Sequence, residues 1–82
     1  MKYIIFNNKY PVIFPDFVSH LTMTNKIMEL LNRELGITPK VTSAGFISAD
    51  SVKCYGESMS LETGPGQEDS KIILYHFKKK EI

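Results

Sequence analysis

The sequence predicts a single α+β domain with elements in the order β-β-α-β-β-α. It would hold an antiparallel sheet with the helices packed on one face. Three observations point there. Two apolar, β-rich runs, Tyr3–Phe6 and Tyr10–Phe14, flank a short polar link. A stretch with helical periodicity then runs from Thr22 to Gly36. Beyond Pro39 the chain turns to small and β-branched residues again, before a last segment of mixed character.

The link between the first two runs is Asn7-Asn8-Lys9. Asparagine tolerates the positive φ of tight hairpin turns, so the runs form a hairpin. Pro11 has no amide hydrogen, which makes the second strand an edge at that point or gives it a bulge. Both runs are apolar at nearly every position instead of alternating. Either both faces of the hairpin are covered or one face stays sticky. A chain this short has few elements for covering both, so the expectation is that a partner or a second copy covers the remainder.

Pro15 stops the second strand, and Asp16 can cap a short turn. In the main helix, Met23, Ile27, Leu30, Leu31 and Leu35 recur at steps of three and four and share one face. Thr22 or Thr24 is the expected N-cap. Glu29 precedes Arg33 by one turn, the favoured order for an ion pair. Gly36 suits the left-handed residue that ends a helix, and Pro39 prevents a restart.

Val41–Ile47 reads as the third strand, with Gly45 marking a bulge or a close approach by another backbone. Ala49-Asp50 is a turn. Ser51 to Leu61 reads as the fourth strand. Val52 and Cys54 share one parity there, Met59 and Leu61 the other. If all four face the core, one extra residue is absorbed at Gly56. Glu62 to Gly66 is a loop. In Gln67 to Lys80 the acids Glu68 and Asp69 come first and Lys78, Lys79 and Lys80 last, which suits a helix dipole. We therefore take a helix, with Ile73, Phe77 and either Ile72 or Leu74 toward the sheet. The alternative is a fifth strand, because residues 71 to 77 are also rich in β-formers.

The totals narrow the function without naming it. The 82 residues suffice for one domain, 1–82, with a thin stability margin. A composition of 43% hydrophobic and 23% charged residues suits a globular chain and not a disordered one. A net charge of +1 exerts no general pull toward nucleic acid or an acidic membrane. No apolar run approaches the roughly 20 residues of a membrane span, and the N-terminus lacks the pattern of a secretory signal. The single Cys54 cannot form an internal disulfide, and a reducing, cytoplasmic setting is expected.

No residue set announces catalysis. Asp16 and His20 are one helical turn apart and could pair as carboxylate and general base, yet a polar pair at a helix start is the plainer reading. Cys54 lies among apolar residues and reads as an inert buried thiol. His20, His76 and Cys54 lack metal-ligand spacing, so neither metal nor cofactor is expected. Gly64-Pro65-Gly66 precedes two acids and is a loop, not a phosphate cradle.

What remains is a non-enzymatic protein-interaction module, acting on a protein partner or on itself as a homodimer through Tyr3, Tyr10, Val12 and Phe14. An inhibitor directed by a bacteriophage or mobile element against a host protein is an alternative within that class. A small nucleic-acid-binding regulator is another, with Lys78, Lys79 and Lys80 on phosphates.

Overall fold

The first strand is the centre of the molecule. In the computed structural model the elements are β1 (Lys2–Phe6), β2 (Tyr10–Phe14), α1 (His20–Leu35), β3 (Val41–Ile47), β4 (Cys54–Tyr55) and α2 (Asp69–Lys80). The structure describes residues 1–48, 50 and 52–80, with side chains as far as 76. The four strands form one antiparallel sheet in the order β2-β1-β3-β4. The expected α+β class, a four-stranded antiparallel sheet with two helices packed against it, is therefore what the chain adopts.

The helices do not share a face, and this corrects the expected layering. Side chains alternate along a strand, so β1 divides its residues between two sides. Tyr3 and Ile5 pack with Ile47 and with Ile73 of α2. Ile4 and Phe6 pack with Phe14 and Ala44, and against Met23, Ile27 and Leu31 of α1. One helix lies on each side of the sheet. The unbroken apolar run of β1 is thus explained inside the chain. Tyr3, Ile4, Ile5 and Phe6 are all fully buried, each contributing roughly 1.5–3 kcal/mol.

The hairpin forms as expected. Asn7 and Asn8 both have φ of 54°, and the Lys9 amide donates to the Phe6 carbonyl at 3.0 Å, the pattern of a type I′ turn. Pro11 lies opposite Ile5, on the strand whose other side is a sheet edge. The turn is also tied across the sheet. Asn7 donates its amide to the Lys40 carbonyl and accepts the Lys40 amide on its side chain, both at 2.8 Å.

Helix α1 starts earlier than the periodicity suggests. Its N-cap is Ser19, not Thr22 or Thr24, and the Ser19 hydroxyl accepts the Thr22 amide at 3.0 Å. Val18 before the cap and Met23 after it pack on the same core cluster, as a hydrophobic staple does. Gly36 ends the helix at φ 65°, donating its amide to the Asn32 carbonyl. Glu29 and Arg33 pair at 3.8 Å. Leu30 and Leu35, expected on the apolar face, are exposed, and Met28 packs inward instead.

The stretch after β3 departs most from expectation. The fourth strand is only Cys54–Tyr55, and Gly56 ends it at φ 66° instead of absorbing a residue within it. The two parities go to different places. Val52 and Cys54 pack on the α2 side, Leu61 packs on the α1 side, and Met59 is exposed. Ala49, half of the expected turn, lies outside the described residues. Gly45 does mark a close approach, since a Cβ there would lie 2.9 Å from the Tyr55 carbonyl oxygen.

The last segment is a helix. Asp69 accepts the Gly66 amide at 2.7 Å, a reach-back that closes the first turn. Ile73 is fully buried and Ile72 packs beside it, whereas Leu74 is exposed. The Phe77 side chain lies outside the described residues.

Candidate binding surfaces

The residues with most chemistry per unit volume sit where α2 meets the sheet. Tyr3 and Ser43, on neighbouring strands, point to the α2 side and reach Asp69 at the start of that helix. The Tyr3 hydroxyl donates to one carboxylate oxygen, the Ser43 hydroxyl donates to the other at 2.8 Å, and the Gly66 amide completes the set. All three side chains are buried. Burial, then the hydrogen bond to Asp69 and its charge, then Cys54 nearby, push the Tyr3 phenol far above its ordinary value. It therefore stays protonated as a donor. Ser70 donates to the Cys54 sulfur at 3.6 Å. A carboxylate filled by three donors, with no exposed side chain beside it in the set, serves as a clamp between helix and sheet.

The pair imagined at the start of α1 is not formed. The His20 ring turns inward, and its Nε2 lies 2.9 Å from the Gly45 carbonyl. A carbonyl only accepts, so Nε2 carries the proton. The ring packs edge-on against Phe14 and Phe46, and Phe46 stacks on Tyr55. Asp16 instead meets the N-terminal ammonium of Met1 at 3.2 Å, at the surface. Among the described residues no group of three or more His, Cys, Asp or Glu side chains is placed to hold a metal ion.

Of the residues the sequence nominated for binding, Tyr3 and Phe14 are buried in the core and offer a partner no surface; Tyr10 and Val12 are half-buried on the edge strand. The reason is the two-sided cover of the sheet. Lys78, Lys79 and Lys80 fall within α2, and their side chains lie outside the described residues.

Two other surfaces present themselves, at opposite ends of the sheet. One end gathers the start of β1, the exit of β2, the start of α1 and the end of β3 beside β4. Phe17, which is 89% exposed, follows Asp16, whose carboxylate meets the Met1 ammonium; Leu21, in the first turn of α1, is exposed too. Tyr55 is exposed on the adjoining strand. The sequence reading missed Phe17 because it sat in a turn, outside any periodic run.

The other end holds a shallow groove of about 320 Å³ between the hairpin turn and α2. Asn8, Lys9, Lys71, Ile72, Tyr75 and His76 line it. The His76 Nε2 lies 2.7 Å from the Lys9 carbonyl, which fastens the turn to the helix. Lys9 also rests over the Tyr10 ring at 5.4 Å.

Comparison with protein-family models, with curated proteins and with solved structures finds no match. No helix among the described residues is long and apolar enough to cross a membrane.

Proposed function

We propose that the protein is a non-enzymatic protein-interaction module that docks through its apolar end, with Phe17 as the anchor and Met1, Leu21 and Tyr55 exposed at the same end of the sheet. The observation that carries this reading is the exposure of Phe17 at 89%, with Met1, Leu21 and Tyr55 also exposed at this end of the sheet. A phenylalanine in solvent gains nothing from folding, whereas burying its ring against a partner releases roughly 1.5–3 kcal/mol. Aromatic anchors of this kind dominate the energy of protein interfaces. The nearby ammonium–Asp16 pair supplies a polar rim.

The edges of the sheet favour this end over strand addition. On β2 the row of outward groups belongs to a strand with Pro11 in its middle, and β4 is only two residues long. The partner is another protein or a second copy of this chain.

The test is affinity capture from a lysate of the natural host, at low and high salt and with nuclease, using the wild type and Phe17→Asp. The expected result is a protein retained at high salt by the wild type and lost by the variant. Sedimentation of the purified chain checks for self-association in the same pair. Capture indifferent to Phe17→Asp, with a monomer in both cases, would remove the reading.

A further inference from the structure

We propose that two copies of the chain pair antiparallel through α1, along the flank that carries Leu21, Met28 and Leu35. This surface is the long side of the helix, and the pairing stands whether or not Phe17 docks a further protein. The three residues are spaced by seven, and seven residues fall about 20° short of two helical turns, so they form one row along α1. On the sheet side of this row come Thr24, which is buried, and Leu31, which packs on the core. On its outer side come Asn25 and Asn32, both exposed. Leu21 and Leu35 are 47% and 53% exposed, while Met28 rests on the core and is half-buried. The row is thus the apolar margin that the sheet leaves uncovered.

The spacing says what covers it. A two-fold axis through Met28 carries position 21 onto position 35, because each lies seven residues away. In an antiparallel pair Leu21 meets the partner's Leu35 at both ends, and the two copies of Met28 meet in the middle. An interface between identical chains must be self-complementary in this way, whereas a foreign partner sets no such condition. The 20° drift of the row also matches the crossing angle of about 20° at which helices pack along such seams. Polar groups follow the same symmetry. Asn25 and Asn32 are seven apart too, so each Asn25 comes opposite the partner's Asn32. The Asn32 amide nitrogen donates to the Ile37 carbonyl at 3.1 Å, which leaves the Asn32 oxygen to accept from Asn25. Charge does not oppose the approach. Helix α1 places Lys26, Glu29 and Arg33 around its far side, where Arg33 pairs with Glu29 and Glu34. Antiparallel helices also set opposite dipole ends side by side. One flank of a 16-residue helix is about 24 Å long. Such a contact stays below the roughly 1,200 Å² of standard interfaces, so the pair should exchange in the micromolar range.

Sedimentation equilibrium of the purified chain, over about a hundredfold range of concentration, follows the pairing. The expected result is a monomer–dimer equilibrium that Leu21→Lys and Leu35→Glu each weaken about tenfold. Both positions are exposed, so circular dichroism should show both variants folded. Mixing the two variants in equal amounts should restore association, because the introduced ammonium then meets the introduced carboxylate across the two-fold axis and the other end keeps its two leucines. Both changes in one chain should recover it in part. Within a single helix the two positions are about 21 Å apart, too far to pair with each other. The recovery should fade at high salt. A monomer at every concentration would overturn the proposal. So would a dimer indifferent to both substitutions, or one that the mixture does not restore. A dimer lost in Phe17→Asp and untouched at positions 21 and 35 would move self-association to the docking end and remove this pairing. A host protein captured through Phe17 by a chain that stays monomeric would keep the docking reading and remove this one.

Discussion

Asp69 shows how one side chain decides the character of a region. Its carboxylate is buried and receives Tyr3, Ser43 and the Gly66 amide. Removing one donor leaves a buried charge short of a partner, which costs about 1–3 kcal/mol. Tyr3→Phe should therefore lower stability by that amount at neutral pH, measured by urea unfolding. The same variant isolates a pH effect. The Tyr3 phenol is raised above its ordinary 10.0, so above that pH the unfolded chain sheds a proton that the native state keeps. Fewer protons on the unfolded state mean that stability falls as pH rises, by about 1.4 kcal/mol per unit for one group. Wild-type stability should drop more steeply than that of Tyr3→Phe above about pH 10; parallel profiles would mean the phenol is not held this way. Gly45 makes a second residue-scale case. A Cβ there would meet the Tyr55 carbonyl oxygen at 2.9 Å and that of Gly56 at 3.2 Å, both backbone atoms that cannot swing aside. Gly45→Ala should cost about 1–3 kcal/mol of unfolding free energy.

At the scale of elements, the sequence was most legible where local chemistry alone sets the structure. The Asn7-Asn8 turn, the Gly36 cap and the Glu29–Arg33 pair are all satisfied within a few residues of chain. The face of α1 was harder to read, for an identifiable reason. Its buried line runs through His20 and Thr24 before it reaches Ile27, Met28 and Leu31. Two of those positions are polar, so a search for apolar spacing drew the stripe through Leu30 and Leu35 instead. His20 is tolerated inside because Gly45, far along the chain, accepts its Nε2 proton, and no local pattern announces such a partner. The burial of Tyr3 and Phe14 was hidden for a related reason: the apolar run of β1 does not say that a helix will cover each face. Thr24 lacks that compensation, for its buried hydroxyl oxygen has no hydrogen-bond partner among the described residues. Thr24→Val keeps the shape and removes the unpaired group, so it should raise stability by about 1 kcal/mol. Ser19→Ala should act in the opposite direction, costing about 1 kcal/mol through the lost cap. Thermal or urea denaturation of the two variants side by side checks both signs.

On the scale of the whole molecule, the question is which apolar side chains hold the fold and which are left for something else. Phe14 and Phe17 lie three residues apart and have opposite fates. Phe14 packs under α1 with Ile4, Phe6 and Ala44, whereas Phe17 stands in solvent at the end of the sheet. A carboxylate at position 14 would have to be desolvated inside that apolar cluster, a penalty of several kcal/mol. A domain of 82 residues has a net stability near the lower end of about 5–15 kcal/mol, so Phe14→Asp should abolish the native circular dichroism signal. Phe17→Asp exposes a charge where a ring was already exposed, and should change stability by no more than about 0.5 kcal/mol. The two substitutions are chemically identical and nearly adjacent in sequence, so a difference between them reports the architecture and not the residue type. A folded Phe14→Asp chain would mean that α1 does not cover that side of the sheet. It would return Tyr10, Val12 and Phe14 to the surface as the binding face that the hairpin first suggested. An unfolded Phe14→Asp beside a folded Phe17→Asp that no longer binds its partner would separate core from interface within a single turn of the chain.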